Sequence, residues 1–213
     1  MSNHVPMPRA ILFDLDRTLV DLQNYTDYAA ALADLHAMLD GWAEWSVLDA
    51  DWDAPTLECM AILVALAQDP RWPAASAAVA AHERAAIASS RAMPGLAQAP
   101  EACAGLPYAV VTLLPPDVAR QTLSHHGFPI DIIVGRDPLI RAKPHGDGLV
   151  VAAERLGVPV SQCVMIGDSS WDHAAALDAG AGFIGVPQTS SAFGPEVAVE
   201  GTLVEAIVKA RGG

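Results

Sequence analysis

The chain has 213 residues, a formal charge of −13 and 52% hydrophobic content, enough for one well-packed domain or one domain with a sizeable insertion. The acidic balance argues against nonspecific binding to nucleic acid or acidic membranes. No apolar run reaches the length of a membrane span and the first residues hold no signal-peptide core, so a cytoplasmic setting is expected.

Ala10 to Phe13 is an apolar run too short for a helix, which predicts a buried strand. It leads into Asp14 and Asp16. Residues two apart on a strand share a face, so both carboxylates would emerge together at the strand's carboxyl end. That is where open α/β sheets bind their ligands. Side by side the two acids repel, and a divalent cation or a shared proton would offset the charge. Taken alone, the pair is equally well read as a strand end that caps a turn.

Residues 22–93 read as helices. Tyr28, Leu32, Leu35 and Leu39 recur at helical spacing before Gly41. Asp53 and Pro55 open a second stripe of Leu57, Met60, Val64 and Ala67, closed by Pro70. A third helix is predicted from Pro73 to Met93, broken by Pro94 and Gly95. Trp42, Trp45, Trp52 and Trp72 are expected to pack this unit or its contact with the rest of the chain.

From Leu106 the pattern changes. Tyr108 to Leu113 is an apolar strand, and Pro115-Pro116-Asp117 opens a helix running to about His126. Ile130 to Val134 is a short strand, Gly146 to Leu156 a helix, and Cys163 to Ile166 a strand. A helix from Ser170 to Ala179, a strand from Phe183 to Val186 and a helix from Leu203 to Lys209 complete the chain. Continuously apolar strands alternating with helices predict an α/β fold with a parallel sheet covered on both faces. Residues 1–21 and 94–213 would form this core. Residues 22–93 would be an insertion above the functional edge, placed to act as a lid. Cys59, Cys103 and Cys163 are far apart in the sequence, without metal-ligand spacing, and are expected to be reduced and buried.

On that topology the strand ends converge. Strand one gives Asp14 and Asp16, the Tyr108 strand gives Thr112, the loop after Val134 leads to Lys143-Pro144, and the Cys163 strand ends in Gly167-Asp168-Ser169-Ser170-Trp171-Asp172. Three carboxylates make an oxygen-rich site suited to Mg²⁺. A hydroxyl and an ammonium suit the oxygens of a phosphoryl group.

These four segments, in this order, resemble the motifs of the haloacid dehalogenase superfamily of phosphohydrolases. The resemblance implies a Rossmann-like core with a helical cap inserted after the first motif, close to the phosphoglycolate-phosphatase branch. It implies Asp14 as nucleophile, with Asp16 as the acid that protonates the leaving oxygen and then the base that activates water. It implies Mg²⁺ held by Asp14, the Asp16 backbone carbonyl and Asp168. Thr112, the Leu113 N–H and Lys143 would hold phosphoryl oxygens, and Asp172 would support the metal or orient Lys143. A carboxylic acid at position 16 favours phosphate esters over halides, because a halide leaves without a proton.

Three features depart from the pattern. Arg17 stands where the family often has Gly, Leu113 and Leu114 follow Thr112 in place of small or polar residues, and Gly146 replaces a second Pro. In the helical insertion Arg71, His82, Arg84 and Arg91 are candidate contacts for an anionic leaving group, or else a solvated face. Among the histidines, treated as structural or solvated, His145 is the one beside the site. The function expected is Mg²⁺-dependent hydrolysis of a small phosphorylated metabolite by a monomer or homodimer, without nucleic-acid or membrane partners. A phosphosugar mutase and a non-catalytic binding protein on the same fold are the alternatives.

Overall fold

The structure, a computed structural model, describes residues 8–40, 49–186 and 193–212. In chain order the strands are β1 (Ala10–Phe13), β2 (Val20–Asp21), β3 (Arg91–Ala92), β4 (Tyr108–Val111), β5 (Ile133–Val134), β6 (Cys163–Gly167) and β7 (Gly182–Gly185). The α-helices are α1 (Tyr28–Leu39), α2 (Ala54–Ala65), α3 (Trp72–Ala86), α4 (Ala99–Cys103), α5 (Pro116–His125), α6 (Asp147–Leu156), α7 (Ser170–Ala179) and α8 (Leu203–Ala210).

Five strands form one parallel sheet in the order β5-β4-β1-β6-β7. β1 is central and wholly buried because it has a helical layer on each face. Ile11 and Phe13 pack with Val110, Leu123, Ile166 and Ile207. Ala10 and Leu12 pack with Val111, Leu149, Met165 and Ala176 on the other side. A strand buried on both faces must be apolar at every position, which is why the run reads without alternation. The chain moves one way across the sheet from β1 to β4 and β5, then the other way from β6 to β7. The loops leaving β1 and β6 therefore part, and a crevice opens at their carboxyl ends.

Between β2 and β3 lie α1, α2 and α3. β2 and β3 pair antiparallel, Val20 with Ala92 and Asp21 with Arg91, so the chain leaves and rejoins the core at one narrow ribbon. The N-cap aspartates set the helix starts: Asp27 accepts from Ala30 N and Asp53 from Thr56 N. The three helices bury their own cluster, with Tyr28, Leu35, Met60, Leu63 and Val79 at its centre. Trp171 of α7 is fully buried in that cluster and packs on Trp52 with ring centroids 5.0 Å apart. Trp72 is buried there too, while Gly41, Trp42 and Trp45 lie outside the described residues.

Some expectations change. β2, β3 and α4 carry no periodic signal long enough to read. The third helix ends at Ala86, not near Met93, because the chain tightens into a 3₁₀ turn at Ile87–Ser89 and then extends into β3. The strand expected from Ile130 pairs only at Ile133–Val134. Cys59, Cys103 and Cys163 are buried free thiols. Among the described residues no helix is long and apolar enough to cross a membrane.

Candidate active site

Lys143 organises the crevice. It is buried, and its Nζ donates to Asp14 Oδ1 at 2.5 Å and to Asp172 Oδ1 at 2.6 Å. Burial works against its charge, but the two carboxylates outweigh that and hold the ammonium above its ordinary pKa. Asp172 is fixed in turn by a capping box at the start of α7: its Oδ2 accepts from Ser169 N and Ser169 Oγ, while Ser169 Oγ accepts from Asp172 N. Gly167 makes room for this. A Cβ there would lie 2.5 Å from the Asp172 Cγ.

Asp14 is buried at the end of β1, and its carboxyl rises to about 7, chiefly through burial, with Lys143 opposing and the Asp172 charge adding. Asp168, at the end of β6, is raised well above the carboxylate range by burial and by Asp14 and Asp172. Asp14, Asp168 and Asp172 each bring a carboxylate oxygen within 4.8 Å of one another. So dense a set of hard oxygens suits Mg²⁺. Asp172 has already committed one oxygen to Lys143 and the other to Ser169, which leaves Asp14 and Asp168 as the readier ligands.

Asp16 points elsewhere. Its Oδ1 accepts from Leu22 N and Gln23 N, both at 2.9 Å, where the chain enters the helical segment. Burial raises it to about 7 against the pull of these two donors. Arg17, directly after the second motif aspartate, has φ 59°, the left-handed region that glycine enters more easily. Its Nε lies 3.3 Å from Asp168 Oδ2, and its Nη1 donates to the Asp51 carbonyl at 2.8 Å. Arg17 thus braces an acid of the site against the helical segment.

The cleft is about 420 Å³, counted to its open mouth. Asp14, Asp16, Thr112, Leu113, Lys143, Asp168 and Asp172 line its sheet side, so the residues expected from the four motifs border one space. Thr112 is buried, and its Oγ1 accepts from Leu114 N at 3.2 Å. Gln23, Tyr28, Trp52, Thr56 and Glu83 face them from the helical side. The basic candidates of the helical insertion follow the solvated-face alternative. Arg71 pairs with Asp69, His82 with Asp34 and Arg84 with Asp117, while Arg91 sits over the Tyr25 ring. None of these four, and not His145, lines the cleft. Gly146, in place of the second Pro, has its own use: its N–H, which a Pro would lack, donates to Asp178 Oδ2, and a Cβ would lie 2.5 Å from Ala179 N.

Sequence reasoning missed a buried ion pair. Arg136, after β5, holds Glu83 of α3 with both arms, Nη1 to Oε1 and Nη2 to Oε2 at 3.0 Å each. The same guanidinium donates to Ser76 and to the Leu113 carbonyl. Tyr28 OH donates to Glu83 Oε1 at 3.3 Å, and burial beside that carboxylate keeps the phenol protonated. The available signal was Glu83 itself, a charge on the same stripe as Val79 and Ala86.

The comparisons agree with this geometry. The family model of the haloacid dehalogenase-like hydrolases matches residues 8–180. A phosphoglycolate phosphatase of Xylella fastidiosa (strain 9a5c) is 32% identical over 183 residues, 81% of this chain and 77% of that protein. One from Xanthomonas campestris pv. campestris (strain 8004) is 30% identical over 195 residues, covering 81% and 80%. CbbY from Rhodobacter sphaeroides, solved in complex with phosphate, superposes with a TM-score of 0.70 at 22% identity, covering 93% of this chain and 96% of that one. A hydrolase from Deinococcus radiodurans R1 with bound phosphate and sodium gives 0.59 at 26% identity, covering 96% and 97%. With a lysine-bridged aspartate at the end of its central strand, the chain belongs to the haloacid dehalogenase-like hydrolases.

Proposed function

We propose that this hydrolase cleaves a phosphomonoester of a small soluble metabolite through a phosphorylated Asp14, with Mg²⁺ as cofactor. The observation that carries the reading is the division of environments between two acids of one strand. Asp14 is bonded to Lys143, and Asp16 is held at the rim by two backbone N–H groups.

In the first step a carboxylate oxygen of Asp14 bonds to phosphorus and the bond to the ester oxygen breaks. Asp16 passes its proton to that oxygen, so an alcohol leaves. In the second step Asp16, now a base, takes a proton from water. The water oxygen bonds to phosphorus, the bond to Asp14 breaks, and inorganic phosphate departs. Lys143, the Thr112 hydroxyl and the Leu113 N–H hold the non-bridging oxygens, and Asp172 positions Lys143. Asp14, the Asp16 carbonyl and Asp168 would hold Mg²⁺, whose positive charge lets an anionic nucleophile approach an anionic phosphate. Residues 22–93 act as the cap that excludes water.

Hydrolysis of p-nitrophenyl phosphate with Mg²⁺ tests the reading. Activity should vanish in Asp14→Asn and on chelation. Turnover that survives Asp14→Asn would rule out the covalent route.

A further inference from the structure

The alcohol side of the cleft holds polar groups that phosphoryl transfer does not use. Thr56 of α2 borders the cleft at 2% exposure, and its hydroxyl has no hydrogen-bond partner among the described residues. Buried hydroxyls are ordinarily bonded, so this one is placed for a ligand atom. Tyr28 uses its proton on Glu83, which leaves its oxygen able to accept. Glu83, gripped by Arg136 from behind, presents a carboxylate to the same space. Hydroxyl groups of a ligand would find both donors and acceptors here.

A second anion would find no cation. Lys143 is the one basic residue among the described lining residues, and Asp14 and Asp172 already hold it. Arg136 is committed to Glu83, Ser76 and the Leu113 carbonyl and does not border the cleft. Arg17 is turned to Asp168 and the Asp51 carbonyl. Residues 41–48 contain neither Lys nor Arg. A carboxylate on the leaving group would be desolvated facing Glu83 without compensation.

We infer that the cleft selects phosphate esters of small, uncharged, hydroxyl-bearing alcohols, polyols or sugars, and rejects esters whose alcohol part carries a carboxylate or a second phosphate. The inference rests on the phosphatase reading above and narrows its substrate. It separates this chain from relatives named phosphoglycolate phosphatases, since phosphoglycolate carries a carboxylate.

The test compares glycerol 1-phosphate and ribose 5-phosphate with 2-phosphoglycolate and 3-phosphoglycerate, using the full chain with Mg²⁺. The uncharged alcohols should be preferred by at least about tenfold in kcat/KM, and Thr56→Val should cut that preference severalfold. Calorimetric binding of the same four esters to Asp14→Asn reads the preference without turnover. The p-nitrophenyl phosphate assay judges the phosphatase reading separately. Equal or tighter binding of phosphoglycolate, failure of both uncharged esters to bind, or a preference untouched by Thr56→Val would overturn the inference.

Discussion

Asp14 and Asp16 leave the same strand two residues apart and end in different surroundings. Asp14 meets an ammonium. Asp16 meets two backbone N–H groups that favour its anion, yet burial still lifts it to about 7. Near neutrality it can therefore give a proton in one step and take one in the next. Asp16→Asn should lower the rate on an alkyl phosphate by about 10²–10⁴. Its first step on p-nitrophenyl phosphate should suffer far less, because p-nitrophenolate leaves without a proton. The second step still needs the base, so rapid-quench measurement should show a burst of p-nitrophenol followed by a stall. Equal losses on both substrates, without a burst, would remove Asp16 from the acid role. The carboxyl pair itself was legible in the sequence from its spacing. Their different surroundings were not, because the donors to Asp16 are Leu22 and Gln23, brought back to it by the left-handed turn at Arg17.

At the level of elements, legibility followed length and burial. β1, β4 and β6 announce themselves because strands covered on both faces must be apolar throughout. β2 and β3 have two residues each, too few for any period to show. Arg136 gave no sign either, because its partner is more than fifty positions away on α3. Trp171 lies between these cases. It sits inside the fourth motif on a core helix, yet its ring belongs to the cluster of the helical segment, against Trp52. Its role is to seat α1–α3 on the sheet above the crevice. Trp171→Ala should cost about 3–5 kcal/mol, the usual range for emptying a fully buried indole site. Urea unfolding would read the loss. A change under about 1 kcal/mol would mean that the indole does not join the two parts.

Across the whole molecule, the buried acids tie stability to pH and, on the proposed reading, to metal. Asp14 and Asp16 rise from an ordinary 3.8 to about 7 in the folded chain, mainly through burial. Asp168 shifts the same way. The native state therefore holds more protons than the unfolded state between about pH 4 and pH 7. Their contribution is fully present below that window and is lost as pH rises through the folded values. Lys143 is raised instead, but its charge is constant over this range. Asp117 and Asp147 are lowered by arginine partners, so their weak, solvent-screened contribution changes only below this window. Without metal, the protein should thus melt at a lower temperature at pH 8 than at pH 5.5. On the proposed reading Mg²⁺ would bind the ionised carboxylates, so its stabilising effect should grow with pH. Thermal melts at the two pH values, with chelator and with excess Mg²⁺, measure both slopes. Asp16→Asn should flatten part of the chelated slope, because the amide removes one titrating group. A chelated protein that melts higher at pH 8 than at pH 5.5 would show that the acids do not sit in the buried, mutually repelling arrangement on which the chemistry depends.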